Sequence, residues 1–467
     1  MRASLVVVLA IAIGAAVYAA RPTRTPIAVL VTGGTVITQD ASRRVLSPGA
    51  VAVNGTDIVE VGAPEDLRRK YDAAQVIDAT GQAVLPGLIN THGHAPMVMF
   101  RGLADDLALQ DWLEHYIFPA EAKTVSPAFV RTATRLAAAE MIRSGTTTFT
   151  DMYYFEEEIA RATRAAGLRA VLGQTVIQFP VADARSPTEG LARAEAFIRA
   201  FKGDPLITPA VAPHAMYTLD GPTLQATAAL GRRYDVPVLI HVAETRTERD
   251  DAIRLYGQSP VGYLDGLGFF TPRTVAAHGV WVSPEDIAIL QARHVALSHN
   301  PESNMKLASG AAPVTGYLRA GVTVSLGTDG AASNNDLDMF EAMRQAAFLA
   351  KLSTGDPSAV SAQTALDMAT RGGAAALGLD AAVGSLEAGK RADLIAVSLA
   401  APRQRPRYDV VSHLVYVTRG DDVRTTIVNG RVLWRDGRLL SLDERAVNAE
   451  AEALAGAVRE AVRPTTH

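Results

Sequence analysis

The sequence predicts an α/β protein, a TIM-type (β/α)8 barrel with a small β-sandwich domain formed from both chain ends. Three observations predict it. Across residues 85–384, short apolar runs alternate eightfold with longer Ala-rich amphipathic stretches. Polar residues recur where the apolar runs stop. Both flanks share another texture, β-branched runs broken by Gly, Asn and Asp turns. A doubly wound open sheet is the alternative architecture. It would spread the strand-end residues along a line, whereas a closed barrel gathers them around one axis.

The first twenty residues, MRASLVVVLAIAIGAAVYAA, read as an export signal: one Arg, an apolar run, then small residues before Arg21 and Pro22. Cleavage after Ala19 fits the small-residue rule, and an uncleaved membrane anchor is the competing reading. A periplasmic or secreted protein is the expectation. Residues 21–84 hold AVLVTGGTVITQD, VAVNGTDIVEVG and QVIDATGQAVLPG, which suggest a β-meander and the N-terminal part of the sandwich. Residues 385–467 supply its C-terminal part, with hairpin turns at "VNGR" and "RDGR" and a terminal helix.

Eight strands are expected in the barrel: AVLPGLIN, TTTFTD, AVLGQTV, ITPAVAP, PVLIHVAE, TVAAHGV, HVALSHN and VTVSLGTD. Helical patterns such as PAFVRTATRLAAAEMIRSG and TLQATAALGRRYD lie between most of them. In such a barrel, chemistry sits at the C-terminal ends of the strands. There the sequence places His92 and His94, Asp151, His214, His241 and Glu244, His278, His299 and Asn300, and Asp329.

The formal charge of -4 gives no reason to expect nucleic acid or an anionic membrane as partner. Cysteine is absent, which excludes disulfides, thiolate ligands and a cysteine nucleophile, so any metal must use nitrogen and oxygen. In "PGLINTHGHAPM" two histidines one residue apart follow an apolar run, and on an extended strand both point to one face. An isolated His-X-His is as readily a pair of unrelated hydrogen-bonded histidines. Six of the ten histidines stand at or just beyond predicted strand ends, however, and with Asp329 they supply imidazole and carboxylate ligands suited to zinc or a similar divalent ion.

The ordered set "PGLINTHGHAPM", "RGLADDLALQDWLEHYIFPAE", "SGTTTFTDMYY", "PHAMYT", "IHVAET", "AAHGVW", "SHNPESNMKLASGAAPV" and "LGTDGAASNN" resembles the amidohydrolase superfamily over nearly the whole chain. Within it, the set is most similar to the 5-methylthioadenosine/S-adenosylhomocysteine deaminase group, a relative of triazine hydrolases and guanine deaminases. The resemblance implies that His92, His94, His241 and Asp329 bind one divalent metal ion, zinc or iron. Neither AVLGQTV nor ITPAVAPH contains the lysine that would bridge a second ion.

Displacing an amine from an aromatic ring carbon needs a strong nucleophile near neutral pH, which a metal provides by lowering the pKa of bound water. The resemblance makes Glu244 the proton shuttle to the ring nitrogen, with His278 and Asp329 orienting and deprotonating the water. It also implies that Glu121 bonds ribose hydroxyls, that His214 faces the nucleoside, and that Trp112 walls an apolar pocket. Plain alternatives are a salt bridge for Glu244 or Glu121 and a core position for Trp112. One departure stands out. Where some members place a substrate-binding arginine after the third strand, this chain has Gln174, whose amide makes no ion pair. Arg185 is the candidate replacement.

The expected protein is thus a hydrolase that removes an exocyclic amine from an adenine nucleoside-like or other N-heterocyclic small molecule, as a homodimer or homotetramer. The alternatives are triazine-type hydrolysis of a C–N or C–Cl bond, and a catalytically silent barrel scaffold. A scaffold would be free to lose a ligand or Glu244, and none is missing.

Overall fold

The computed structural model describes residues 24–462. The segment read as an export signal, residues 1–20, lies outside them. Among the described residues no helix is long and apolar enough to cross a membrane. The signal-peptide and periplasmic assignments are not upheld. What the described residues hold is a histidine-rich cluster inside a barrel, and that feature carries no address.

Strands β1 (Thr25–Ile37), β2 (Val45–Asn54), β3 (Asp57–Gly62), β4 (Tyr71–Asp78) and β5 (Gln82–Pro86) open the chain. Alternation along them gives the sheet two apolar faces. Val29, Val31, Val51 and Val53 enter one core, while Leu30, Ala50 and Ala52 meet Leu67 of the helix Pro64–Lys70 in another.

The run AVLPGLIN, expected as one strand, is two. Leu85 and Pro86 finish β5 in this first sheet, and β6 (Leu88–Asn90) begins the barrel. The crossing needs Gly87, because a Cβ there would lie 2.1 Å from the Thr147 side chain.

The barrel strands follow in sequence order: β6, β7 (Thr146–Tyr153), β8 (Arg169–Val176), β9 (Ile207–Pro213), β10 (Val238–Val242), β11 (Thr274–His278), β12 (Ala296–His299) and β13 (Val324–Leu326). Adjacent strands pair in parallel, and covered on both sides they are buried almost throughout. Backbone bonds from Thr91 N–H to the Leu326 carbonyl (2.9 Å) and from Asp329 N–H to the His92 carbonyl (3.0 Å) join the first strand end to the eighth. The ring is thereby brought together at the ends that carry the polar residues.

The helix Pro127–Ser144 shows how the outer layer is cut to length. Ser126 caps its N-terminus by accepting from Phe129 N–H, Pro127 opens it, and Gly145 ends it in the left-handed region at φ 89°. Its buried face includes Phe129, Val130, Ala137 and Met141.

Strands β14 (Leu394–Ser398), β15 (Val423–Val428), β16 (Arg431–Arg435) and β17 (Arg438–Leu439) complete the first sheet, because β14 pairs antiparallel with β5. The predicted hairpin turns are present: Asn429–Gly430 joins β15 to β16 and Asp436–Gly437 joins β16 to β17, all four residues at positive φ. A buried ion pair, Arg169 Nε to Asp393 Oδ2 at 2.8 Å, locks the start of β8 to the chain entering β14.

Candidate metal centre and active site

Short polar side chains fix the strand ends before any ligand is placed. Asn90 donates from Nδ2 to Thr328 Oγ1 (2.7 Å) and accepts from Thr328 N–H at Oδ1 (3.1 Å). Ala243, His278 and Asp329 leave β10, β11 and β13 in the left-handed region, at φ 52°, 73° and 63°. For non-glycine residues this costs roughly 1–3 kcal/mol each, and such backbone clusters at functional sites. Gly327 permits a close approach, since a Cβ there would lie 2.5 Å from Asn300 Oδ1 and 2.8 Å from His92 Cβ.

Five side chains from four strand ends converge. The ring of His92 lies 5.0 Å from that of His94, 4.9 Å from that of His241 and 5.3 Å from that of His278, centroid to centroid. Nε2 of His94 and Nε2 of His241 are 3.4 Å apart, and Asp329 Oδ1 is 3.2 Å from the former and 3.4 Å from His92 Nε2.

The orientation of these rings is built in. The Met152 carbonyl takes the Nδ1–H of His94 (2.8 Å), and the His214 carbonyl takes that of His241 (2.6 Å). A carbonyl only accepts, so in both rings Nδ1 holds the proton and Nε2 is the inward ligand atom. The buried His92 Nε2 has no hydrogen-bond partner at all.

Burial pushes His92 down to about 4 and holds His241 well below the usual imidazole range, so both rings are neutral and ready to ligate. Burial acts in the same direction on His94 but is outweighed by Asp329, which lifts it to about 9. Burial opposes ionisation of Asp329, yet the imidazoles of His92 and His94 beside it keep it well below the usual carboxylate range. An ionised carboxylate facing three imidazoles, with one proton shared among them, is a donor set that fits a divalent cation, and binding would release that proton.

The open side of the cluster carries the acid and base groups. His278 Nε2 is 3.7 Å from Glu244 Oε2 and 3.9 Å from Asp329 Oδ2. Ser303 donates to Asp329 Oδ2 at 2.7 Å. Glu244 is 3% exposed and its carboxyl is pushed up by burial; Ser309 Oγ lies 3.4 Å from its Oε1. Below it, the Glu248 carboxylate accepts from the N–H groups of Ala243 (3.0 Å) and Glu244 (2.8 Å), fixing the turn after β10.

A cavity opens from this cluster, and His214, Glu121 and Trp112 line it with His94, Glu244 and Asp329. Glu121 is buried, which pushes its carboxyl up to about 7 against the hydrogen bonds it accepts from Tyr153 (2.7 Å) and Tyr154 (3.4 Å). Gln174 and Arg185 are not brought in. Gln174 is fully buried and donates to Asp183 (2.9 Å), while Arg185 lines none of the cavities near the cluster.

Sequence reasoning passed over the residues that position the others. Tyr153 and Tyr154 stood in the quoted "DMYY", and Ser303 and Ser309 in "SHNPESNMKLASG", with nothing in their spacing to say which carboxylate they would reach. Tyr217, also on the cavity wall, stood in "PHAMYT".

The amidohydrolase family matches residues 83–433, which span the barrel and every residue of the cluster. The chain belongs to this family. The amidohydrolase is 43% identical over 434 residues, 93% of the chain and 98% of the relative, to a 5-methylthioadenosine/S-adenosylhomocysteine deaminase of Syntrophus aciditrophicus. Its fold is similar to that of an adenosine deaminase from Xanthomonas campestris with bound zinc, at TM-score 0.92 and 39% identity, covering 94% of this chain and 100% of that one. An atrazine chlorohydrolase from Arthrobacter aurescens, complexed with zinc, is similar at TM-score 0.84 and 26% identity, covering 91% and 100%.

Proposed function

We propose that this amidohydrolase is a metal-dependent deaminase, hydrolysing the exocyclic C–N bond of an adenine nucleoside-like substrate and releasing ammonia. One observation carries the reading. His92, His94, His241 and Asp329 present their ligand atoms to one another, with His278 and Glu244 beside them on the wall of one cavity. The relatives named as deaminases support it.

The four converging residues would hold one divalent ion, and the nitrogen-oxygen donor set, like the zinc in both neighbouring structures, favours Zn2+. Such an ion supplies Lewis acidity and brings the pKa of a bound water towards neutrality.

The chain's own residues handle the protons. Asn304 Oδ1 lies 2.8 Å from Nδ1 of His278, an arrangement in which the amide oxygen accepts and Nε2 is left as the basic nitrogen facing Asp329. His278 and Asp329 take the proton of the attacking water. Glu244, kept protonatable by burial, gives a proton to the ring nitrogen beside the reacting carbon and passes one to the departing amine. One C–O bond forms, one C–N bond breaks, and nitrogen leaves as ammonia. Glu121, held by two tyrosines, accepts from the ribose hydroxyls, and the apolar ring of Trp112 walls the base side.

The test is ammonia release by the zinc-loaded protein across adenosine, 5′-methylthioadenosine, guanine and triazines. Turnover of the adenine nucleosides is expected. Turnover of triazines alone would replace this reading with the triazine-type one, and no turnover despite one bound ion would favour a scaffold.

A further inference from the structure

We infer that the terminal helix, Glu444–Val462, belongs to the working apparatus of the active site: through its buried face at Val458 it positions Glu121, and so sets the grip on the substrate's ribose. This inference rests on the deaminase reading, in which Glu121 accepts from the ribose hydroxyls.

One wall of the metal cavity comes from a single stretch of chain. Leu109, Trp112, Leu113, Ile117, Phe118 and Glu121 all line it, on a helical turn (Leu109–Trp112), a π-helical turn (Leu113–Ile117) and the short helix Phe118–Thr124. These pieces hold four, five and seven residues. Helices below about 12 residues do not hold together in water on their own, so this wall takes its place from what it packs against. Its leading end is tied to the barrel: Arg101 pairs with Glu140, and Lys306 Nζ reaches Asp105 Oδ1 at 2.6 Å. Its trailing end, which carries Glu121, has the terminal helix.

That helix is shaped to reach it. Val447, Ala451, Leu454 and Val458 recur every three or four residues and so share one face. The face is turned inward: Val447, Ala451 and Val458 are buried, Leu454 is half-buried, and Val458 lies in the same apolar core as Ala120 and Phe129. Ion pairs from Arg143 to Glu444 and from Arg135 to Glu450 lay the terminal helix antiparallel along the helix Pro127–Ser144. It then continues onto Phe118–Thr124, where Lys123 Nζ donates to the Ala461 carbonyl at 3.1 Å.

Glu121 is thus held twice. Tyr153 and Tyr154 donate to its carboxylate and fix the side chain, while the terminal helix fixes the backbone from which it projects. A hydroxyl must come within about 3 Å of a carboxylate oxygen to donate to it, so a small shift of this short helix is enough to lose the bond. Val458 is a positioning residue that acts through Glu121.

The experiment measures kcat/KM of the zinc-loaded full chain for adenosine and for 2′,3′-dideoxyadenosine, which lacks the hydroxyls. Val458→Asp sets a carboxylate into the buried face and loosens the end of the terminal helix. Adenosine should then lose about tenfold or more, as for residues that act through one another, and dideoxyadenosine no more than about twofold. Glu121→Ala should show the same contrast, and adding Val458→Asp to it should cost nothing further. Val458→Ala should move adenosine in the same direction by a smaller factor, and it decides the comparison if Val458→Asp does not fold. Equal losses on both substrates, no loss on either, or full additivity with Glu121→Ala, in folded protein of unaltered zinc content, overturns this inference and leaves the deaminase reading standing. No contrast in Glu121→Ala takes the ribose away from Glu121 and overturns the inference with it. No turnover of adenosine by the unaltered chain overturns the deaminase reading as well.

Discussion

Asn304 holds His278: its Oδ1 sits 2.8 Å from the imidazole Nδ1, closer than Asn300 Nδ2 at 3.4 Å, in a buried pair that puts the ring proton on Nδ1 and leaves Nε2 towards the acid groups. Asn304→Ala should leave the four converging side chains untouched. Turnover should drop about 10–100-fold, as for other partners that orient a working histidine. Metal content by elemental analysis should stay at the level of the unaltered protein; a parallel loss of metal would give Asn304 a different role.

Glu244→Gln keeps shape and burial but cannot exchange a proton. With the metal still bound, kcat should fall about 10²–10⁴-fold, the usual range for losing a general acid-base group. Steady-state ammonia release measures it, and full turnover by this variant would remove Glu244 from the chemistry.

Chelation should abolish turnover and lower the thermal midpoint, because an ion that binds only the folded state stabilises it by mass action. Zinc added back should restore both. In His241→Ala the affinity loss should exceed the 10–100-fold typical of supporting residues. Added zinc should then no longer raise the midpoint in differential scanning calorimetry.

Arg169 and Asp393 are 8% and 2% exposed at their side chains, and the Asp393 carboxylate also accepts from Asn429 N–H at 2.6 Å. Arg169→Ala strands a buried carboxylate and should cost about 3–5 kcal/mol in denaturant unfolding. The double change Arg169→Met with Asp393→Leu should cost clearly less. Equal losses would mean the site tolerates an unpaired charge.

Asp336 gives a pH signature away from the metal. Burial, aided by the nearby carboxylates of Asp338, Glu140 and Glu341, pushes its carboxyl up to about 6 from an ordinary 3.8. The folded state therefore binds more protons than the unfolded one across that window. Its contribution is present at low pH and fades as pH rises from about 4 to about 6. Asp336→Asn should flatten that segment of the stability curve in urea titrations at fixed pH.

Much of this architecture was legible because barrel strands announce themselves twice, by apolar runs and by what ends them. Strand ends in a barrel must converge, which put His92, His94, His241 and Asp329 among a longer set of polar strand-end residues; the resemblance of their motifs to the amidohydrolases is what set these four apart as ligands. The split of AVLPGLIN was hidden, since Leu85 and Leu88 look alike and only the closeness of Thr147 to Gly87 reveals two sheets. Gln174 also misled. Its position suggested the cavity, but the side chain turns to Asp183, a partner nine residues away whose importance no periodicity conveys. The orienting bonds of His94 and His241 end on backbone carbonyls, which every residue has, so sequence could not single them out.

The pairing of β5 with β14 has a bearing on biosynthesis. During translation the opening strands emerge first, yet the edge that β14 must occupy stays vacant until some three hundred further residues have been made. The nascent chain therefore exposes a sticky border while the catalytic ring assembles, and an element that so late a partner seals is where premature termination would do most harm.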